Sequence, residues 1–193
     1  MARPREFTPE DALDKAMHTF WAKGYYDTSI RDLVTATGVN PYGLYATFTD
    51  KRGLFLAALD HYQATVTSAI GQALEQPDGG IEAIGKAFDH VLRITRDTQG
   101  HSGCLMCMTA VELAPHDATA ADRVAANMTR LRDAFLGAVR RAQRKGEIDP
   151  KKDAEALAEF LATSVYSIGM LRRAGRNSAY VNRYVQTALE GLA

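Results

Sequence analysis

The stretch TSIRDLVTATGVNPYGLYATFTDKRGLF, residues 28–55, limits what this chain can fold into more than any other segment. Ile30, Leu33 and Val34 recur at helical spacing behind Thr28 or Ser29, either of which suits a helix N-cap. Thr37-Gly38-Val39 then makes a turn. Asn40 caps a second short helix with Pro41 at its first position, and Leu44 and Phe48 point inward. That second helix carries Tyr42, Gly43, Tyr45 and Thr47 where a solvated helix would carry Lys and Glu. This is the layout of a helix-turn-helix that reads the major groove of DNA.

The flanks extend the pattern. Thr8, Pro9, Glu10 and Asp11 are an N-cap, a first-position proline and two first-turn acids. Leu13, Ala16, Met17, Phe20 and Trp21 follow at helical spacing, and Gly24 closes the helix after Lys23. Asp50 caps a long fourth helix through Leu54, Leu59, Tyr62, Val66 and Ile70 to about Leu74, a rod of roughly 35 Å. Gln76-Pro77-Asp78-Gly79-Gly80 breaks the chain, and helical patterns resume at about 81–97, 103–113, 118–145, 151–173 and 177–192. With no strand alternation and no repeat, the expected fold is all-α with about nine helices. Residues 1–50 are expected to form a three-helix reading domain, and residues 51–193 a second, helical domain.

Charge locates no partner by itself. The 193 residues hold 23 Lys and Arg against 23 Asp and Glu, and residues 1–60 hold seven against eight. DNA binding must therefore come from local placement of cations and from helix N-termini. For base contact the candidates are Asn40, Tyr42, Gly43 and Thr47, with Tyr45 a turn beyond Tyr42. Gly43 costs roughly 1 kcal/mol relative to Ala inside a helix, and is tolerable where a phosphate or base edge must come close. Thr28, Ser29, the tyrosine hydroxyls and Lys51 suit phosphate contacts, and Arg3 and Arg5 lie on an arm that can reach a minor groove.

Residues 8–60 resemble the DNA-binding domain of the TetR/AcrR family of transcriptional repressors. The resemblance is carried by Phe20, Gly24-Tyr25, Thr28-Ser29, Gly38-Val39, Leu44-Tyr45, Phe48, Lys51 and Leu54-Phe55. It implies an all-α homodimer whose C-terminal domain binds small molecules and whose two reading helices face a near-palindromic double-stranded operator.

For the effector, Tyr62, Phe88, Val91, Met106, Met108, Phe135, Tyr166 and Met170 combine apolar bodies with occasional polar tips, which suggests a medium-sized, mostly apolar molecule. Leu157, Phe160, Leu161, Ser164, Val165, Ile168, Tyr180 and Tyr184 form a broad stripe suited to a helix-pair dimer interface, or to internal packing.

Cys104 and Cys107 stand at i and i+3 near the start of one helix, where amides and the dipole lower a thiol pKa. They read as small packing side chains or as a sensor of oxidants and electrophiles. A metal site with His101 or His116 lacks a second cysteine pair. His18, His61 and His90 stand alone, and no Ser-His-acid spacing, carboxylate pair or glycine-rich phosphate loop occurs. No enzyme activity, cofactor or metal is expected. The closely spaced thiols, the absence of an apolar signal core and the lack of a membrane-length apolar run place the chain in the cytoplasm, away from membranes. The competing reading is an all-α interaction module that binds no DNA, which the balanced charge favours.

Overall fold

The computed structural model describes residues 8–96 and 103–192. Thr8 Oγ1 accepts from the Asp11 amide at 3.2 Å and starts α1 (Pro9–Lys23), which Gly24 ends at φ 90°. Between the two possible caps of α2 (Ile30–Thr37), the chain uses Ser29: its hydroxyl and the Asp32 carboxylate satisfy each other's backbone amides. Gly38 turns in the left-handed region at φ 74°, and Asn40 Oδ1 accepts from Gly43 N at 2.8 Å to open α3 (Pro41–Phe48).

The exit from α3 is tighter than its sequence suggests. Thr49 takes φ 74° and ψ −59°, and the Asp50 amide donates to the Phe48 carbonyl at 2.9 Å, a γ-turn of the strained kind. Asp50 then caps α4 (Lys51–Tyr62) by accepting from Gly53 N at 2.7 Å.

Where the sequence predicts one regular helix to Leu74, the rod is α4, a π-helical turn (Gln63–Thr67) and α5 (Ser68–Leu74) in unbroken succession. The cause is local. Thr65, Thr67 and Ser68 turn their hydroxyls back onto the carbonyls of His61, Gln63 and Ala64, competing with the helical ladder. Beyond the 76–80 break come α6 (Ile81–Ile94), α7 (Leu105–Glu112), α8 (Ala118–Arg144), α9 (Ala154–Arg173) and α10 (Ser178–Glu190). Counting the interrupted rod once, nine helices and no strand occur among the described residues.

Two apolar cores result. The first gathers Met17, Phe20, Leu33, Leu44, Leu54, Phe55 and Leu59 and extends to Tyr62, Leu105 and Met106. Edge-to-face contacts at 4.9 Å, Phe20 on Phe55 and Trp21 on Tyr62, lock α1 onto α4. The second joins Ile70 and Leu74 of α5 to α6, α8, α9 and α10. The rod thus has one end in each core. The first core runs past residue 50, through all of α4.

Helix α7 straps the two halves together. At its start, the Gly103 carbonyl accepts from Trp21 Nε1 at 3.3 Å; at its end, Glu112 accepts from the Tyr25 amide at 2.8 Å. Arg52 forks onto Asp117 just beyond, and Arg173 of α9 donates to the Ala22 carbonyl at 3.0 Å.

Candidate nucleic-acid interface and effector cavity

Helix α3 is held from one side only. Leu44 is fully buried and Val39 nearly so, whereas Asn40, Pro41, Tyr42 and Ala46 are exposed, Tyr42 at 86%. Gly43, Tyr45 and Thr47 are half-buried, with Thr47 Oγ1 donating to the Gly43 carbonyl. A short helix anchored by a leucine, with a large aromatic left in water, has the geometry of an element awaiting a partner.

The other residues read as DNA contacts separate by environment. Thr28 is fully buried and its hydroxyl donates to the Gly24 carbonyl at 2.6 Å, so no phosphate reaches it. Ser29 is exposed, but its hydroxyl also donates to Asp32 at 2.6 Å. Asp32 in turn meets Lys23 at 2.6 Å, which with Ser29 holds its carboxyl well below the usual range. Lys51 lies 4.5 Å from the Tyr25 ring; partial burial lowers its pKa, with Asp27 and Asp32 opposing. Arg31, which the sequence reading passed over, is exposed at the start of α2. Arg3 and Arg5 lie outside the described residues, as does His101.

Two cavities flank the strap. The first, about 630 Å³, lies between the rod, α6, α8 and α9, and the π turn forms part of its wall. Of the residues expected to line a pocket it takes Tyr62, Val91 and Tyr166. It adds polar groups the sequence did not mark: Tyr166 donates to Asn127 at 2.7 Å, Asn127 reaches Thr67 at 3.4 Å, and Arg130 meets Gln63. The second cavity, about 610 Å³, takes Met106, Met108, Tyr166 and Met170, with Val111 and Met128. Phe88 and Phe135 line neither; their rings lie 5.8 Å apart in the second core. Burial, first among the causes, raises the Tyr166 hydroxyl pKa and leaves it a neutral donor. Cys104 stands in the wall of both cavities.

The stripe at the chain's end splits in two. Leu161, Ser164, Val165 and Ile168 are buried within the chain itself, against α8 and the rest of the second core, so the internal-packing alternative holds for them. Leu157 is half-buried, as is Tyr184, whose hydroxyl donates to Ser164 at 3.2 Å. Phe160 and Tyr180 remain outside, 48% and 43% exposed. Periodicity marks residues as apolar without saying which neighbour covers them.

No described helix is long and apolar enough to cross a membrane, and no group of three potential metal ligands occurs among the described residues.

Comparison with known proteins gives a consistent result. The family model described as bacterial regulatory proteins, tetR family, matches residues 12–58, and the tetracyclin repressor-like C-terminal domain matches residues 80–188. The chain is 31% identical to the uncharacterized HTH-type transcriptional regulator YezE of Bacillus subtilis over the full length of both. It is 31% identical to the HTH-type transcriptional repressor ComR of Escherichia coli, covering 97% of this chain and 90% of that one. Among solved structures, a cysteine mutant of the TetR-family regulator CifR, complexed with 26-bp operator DNA, superposes with a TM-score of 0.88 at 27% identity. That match covers 99% of this chain and all of the other.

Proposed function

The chain belongs to the tetR family of bacterial regulatory proteins, and from that premise we propose that it is a homodimeric repressor which a small molecule releases from a near-palindromic operator. The observation that carries this reading is the continuity of α4, π turn and α5 between an open reading helix and an internal cavity. Exposed Asn40, Tyr42 and Ala46 enter the major groove, while Lys51 and the amides at the start of α2 hold phosphates. Arg31 adds a further cation. CifR bound to operator DNA and ComR named a repressor support the same sense of regulation.

The effector occupies the first cavity and carries at least one polar group, for which Tyr166, Asn127 and Arg130 provide the partners. The π turn is the deformable point of the rod, so a molecule wedged beside Gln63 and Thr67 changes how α4 leaves the body. Two subunits joined near Phe160 and Tyr180 then hold their reading helices at a spacing the operator does not match.

Genomic fragments selected by the immobilised protein, followed by binding titrations on one of them, test this. The affinity falls by about two orders of magnitude or more between ~50 and ~200 mM salt if several phosphates are contacted. Absence of duplex binding at low salt sinks the proposal.

A further inference from the structure

Cys104-Leu105-Met106-Cys107 opens α7, with Cys104 as its N-cap and Cys107 in its first turn, so the two side chains face each other. Cys104 is 8% exposed and Cys107 half-buried. The Tyr62 hydroxyl donates to Cys104 Sγ at 3.7 Å. The Cys107 thiol has two acceptors in reach, Cys104 Sγ and the Tyr166 carbonyl at 3.4 Å. Its hydrogen bond is the largest influence on Cys104, whose pKa falls to about 7 against the opposing effect of burial. The amides at the start of α7 and Tyr62 add to the fall, whereas Cys107, as donor and desolvated, is pushed up. One sulfur is thus disposed to be a thiolate while its neighbour keeps its proton. Both cavities touch Cys104, which gives a small solute two ways in.

We propose that Cys104 and Cys107 are a dithiol switch: a hydroperoxide reaching Cys104 through either cavity oxidises it, and Cys107 closes an intramolecular disulfide. In the first step the Cys104 thiolate attacks the peroxide's terminal oxygen. An S–O bond forms, the O–O bond breaks, and the leaving alkoxide takes a proton to become an alcohol. In the second, Cys107 sulfur attacks Cys104 sulfur; the S–S bond forms, the S–O bond breaks, and hydroxide leaves as water with the Cys107 proton. The two thiols lose two electrons, and the peroxide is reduced by the same two.

The disulfide changes the shape of the strap. A disulfide holds its two Cβ atoms at about 3.5–4.5 Å, so closure ties the extended N-cap residue rigidly to the first turn of α7. That turn has no slack. A Cβ on Gly169 would stand 2.5 Å from Cys104 Cβ, so α9 already presses against it. Gly103, one residue back, holds Trp21 of α1 through its carbonyl, and Trp21 packs on Tyr62 of the rod. Oxidation therefore disturbs the seat of the reading domain. This last effect rests on the regulatory reading above; the chemical step does not.

The test uses the full-length, reduced protein treated with excess hydrogen peroxide and followed by intact mass and by operator titration. The wild type is expected to lose the mass of two hydrogens without forming cross-linked dimers, and to regain it with dithiothreitol. Cys107→Ser should stop with one added oxygen that dimedone traps, and Cys104→Ser, with Cys104→Ala as a second variant should the serine disturb folding, should not react. Operator affinity of the oxidised wild type should fall by about tenfold and recover on reduction. Two titratable thiols surviving in the oxidant-treated wild type, or reaction of both Cys104 variants at the wild-type rate, overturns the site. Disulfide formation with unchanged affinity overturns the switch. A reduced protein that binds no operator refutes the regulatory reading, while the mass result still decides the chemistry.

Discussion

Arg52 and Asp117, 65 residues apart, form a two-pronged ion pair: Nε meets Oδ2 at 2.5 Å and Nη2 meets Oδ1 at 2.9 Å. The aspartate also accepts from the Ala120 amide and so caps α8. Asp117→Ala removes the cap and the bridge together, and the cap alone contributes about 1 kcal/mol. Asp117→Asn keeps the capping oxygen but loses the charge and one prong of the fork. Urea unfolding midpoints should fall in the order wild type, Asn, Ala.

The same pair gives an acid dependence. Arg52, first among the causes, holds the Asp117 carboxyl at about 2, below its ordinary 3.8. Because the folded value is depressed, the stabilisation is complete above the ordinary value and is lost as pH falls through about 2. Melting temperature measured across that window should drop less steeply for Arg52→Ala than for the wild type.

Tyr42 stands in water with no other exposed aromatic on α3, so its removal tests DNA reading with little effect on folding. Tyr42→Ala should weaken operator binding by about tenfold, or ~1.4 kcal/mol. Lys51→Ala should weaken it similarly on every sequence and reduce the salt slope by about one. Gel-shift titrations at several salt concentrations separate the two; unchanged affinity in both removes them from the interface.

Gly53 sits where α4 passes the end of α3, and a Cβ there would lie 2.1 Å from the Phe48 carbonyl oxygen. That oxygen already takes part in the γ-turn, so the backbone cannot yield without moving the reading helix. Gly53→Ala should destabilise the protein by about 1–3 kcal/mol and weaken operator binding beyond what that loss explains. Denaturation and binding curves on one preparation check both.

Phe160 and Tyr180 are the members of the C-terminal stripe left exposed, so a charge there does not enter the core, and on the dimer proposed above it would fall between subunits. Phe160→Glu should shift the protein from dimer to monomer, by light scattering, with a nearly unchanged circular dichroism spectrum. Leu161→Glu should instead unfold it, because Leu161 is fully buried within one chain.

Local chemistry is legible in the sequence. Thr8, Asn40, Asp50, Gly24 and Gly38 cap and turn as their types require, because those bonds close within four residues. The π turn was hidden, since hydroxyl back-bonding only biases a helix and the surroundings decide. The strap was equally hidden: Trp21 with Gly103 and Arg52 with Asp117 are separated by most of a domain. For Phe88, Phe135, Leu161 and Ile168, the sequence could mark them apolar but not assign them to core, pocket or interface.

The strap means that the part of this molecule which could be transplanted is not a continuous stretch of chain. A chimaera carrying only residues 1–50 would leave behind Gly103 and Glu112, two of the bonds that seat α1 and the turn after it, together with Arg52 and its partner Asp117. Such a head would meet its new body without the docking contacts that fix its angle. Residue identity at those distant positions therefore belongs to any swap of specificity between relatives.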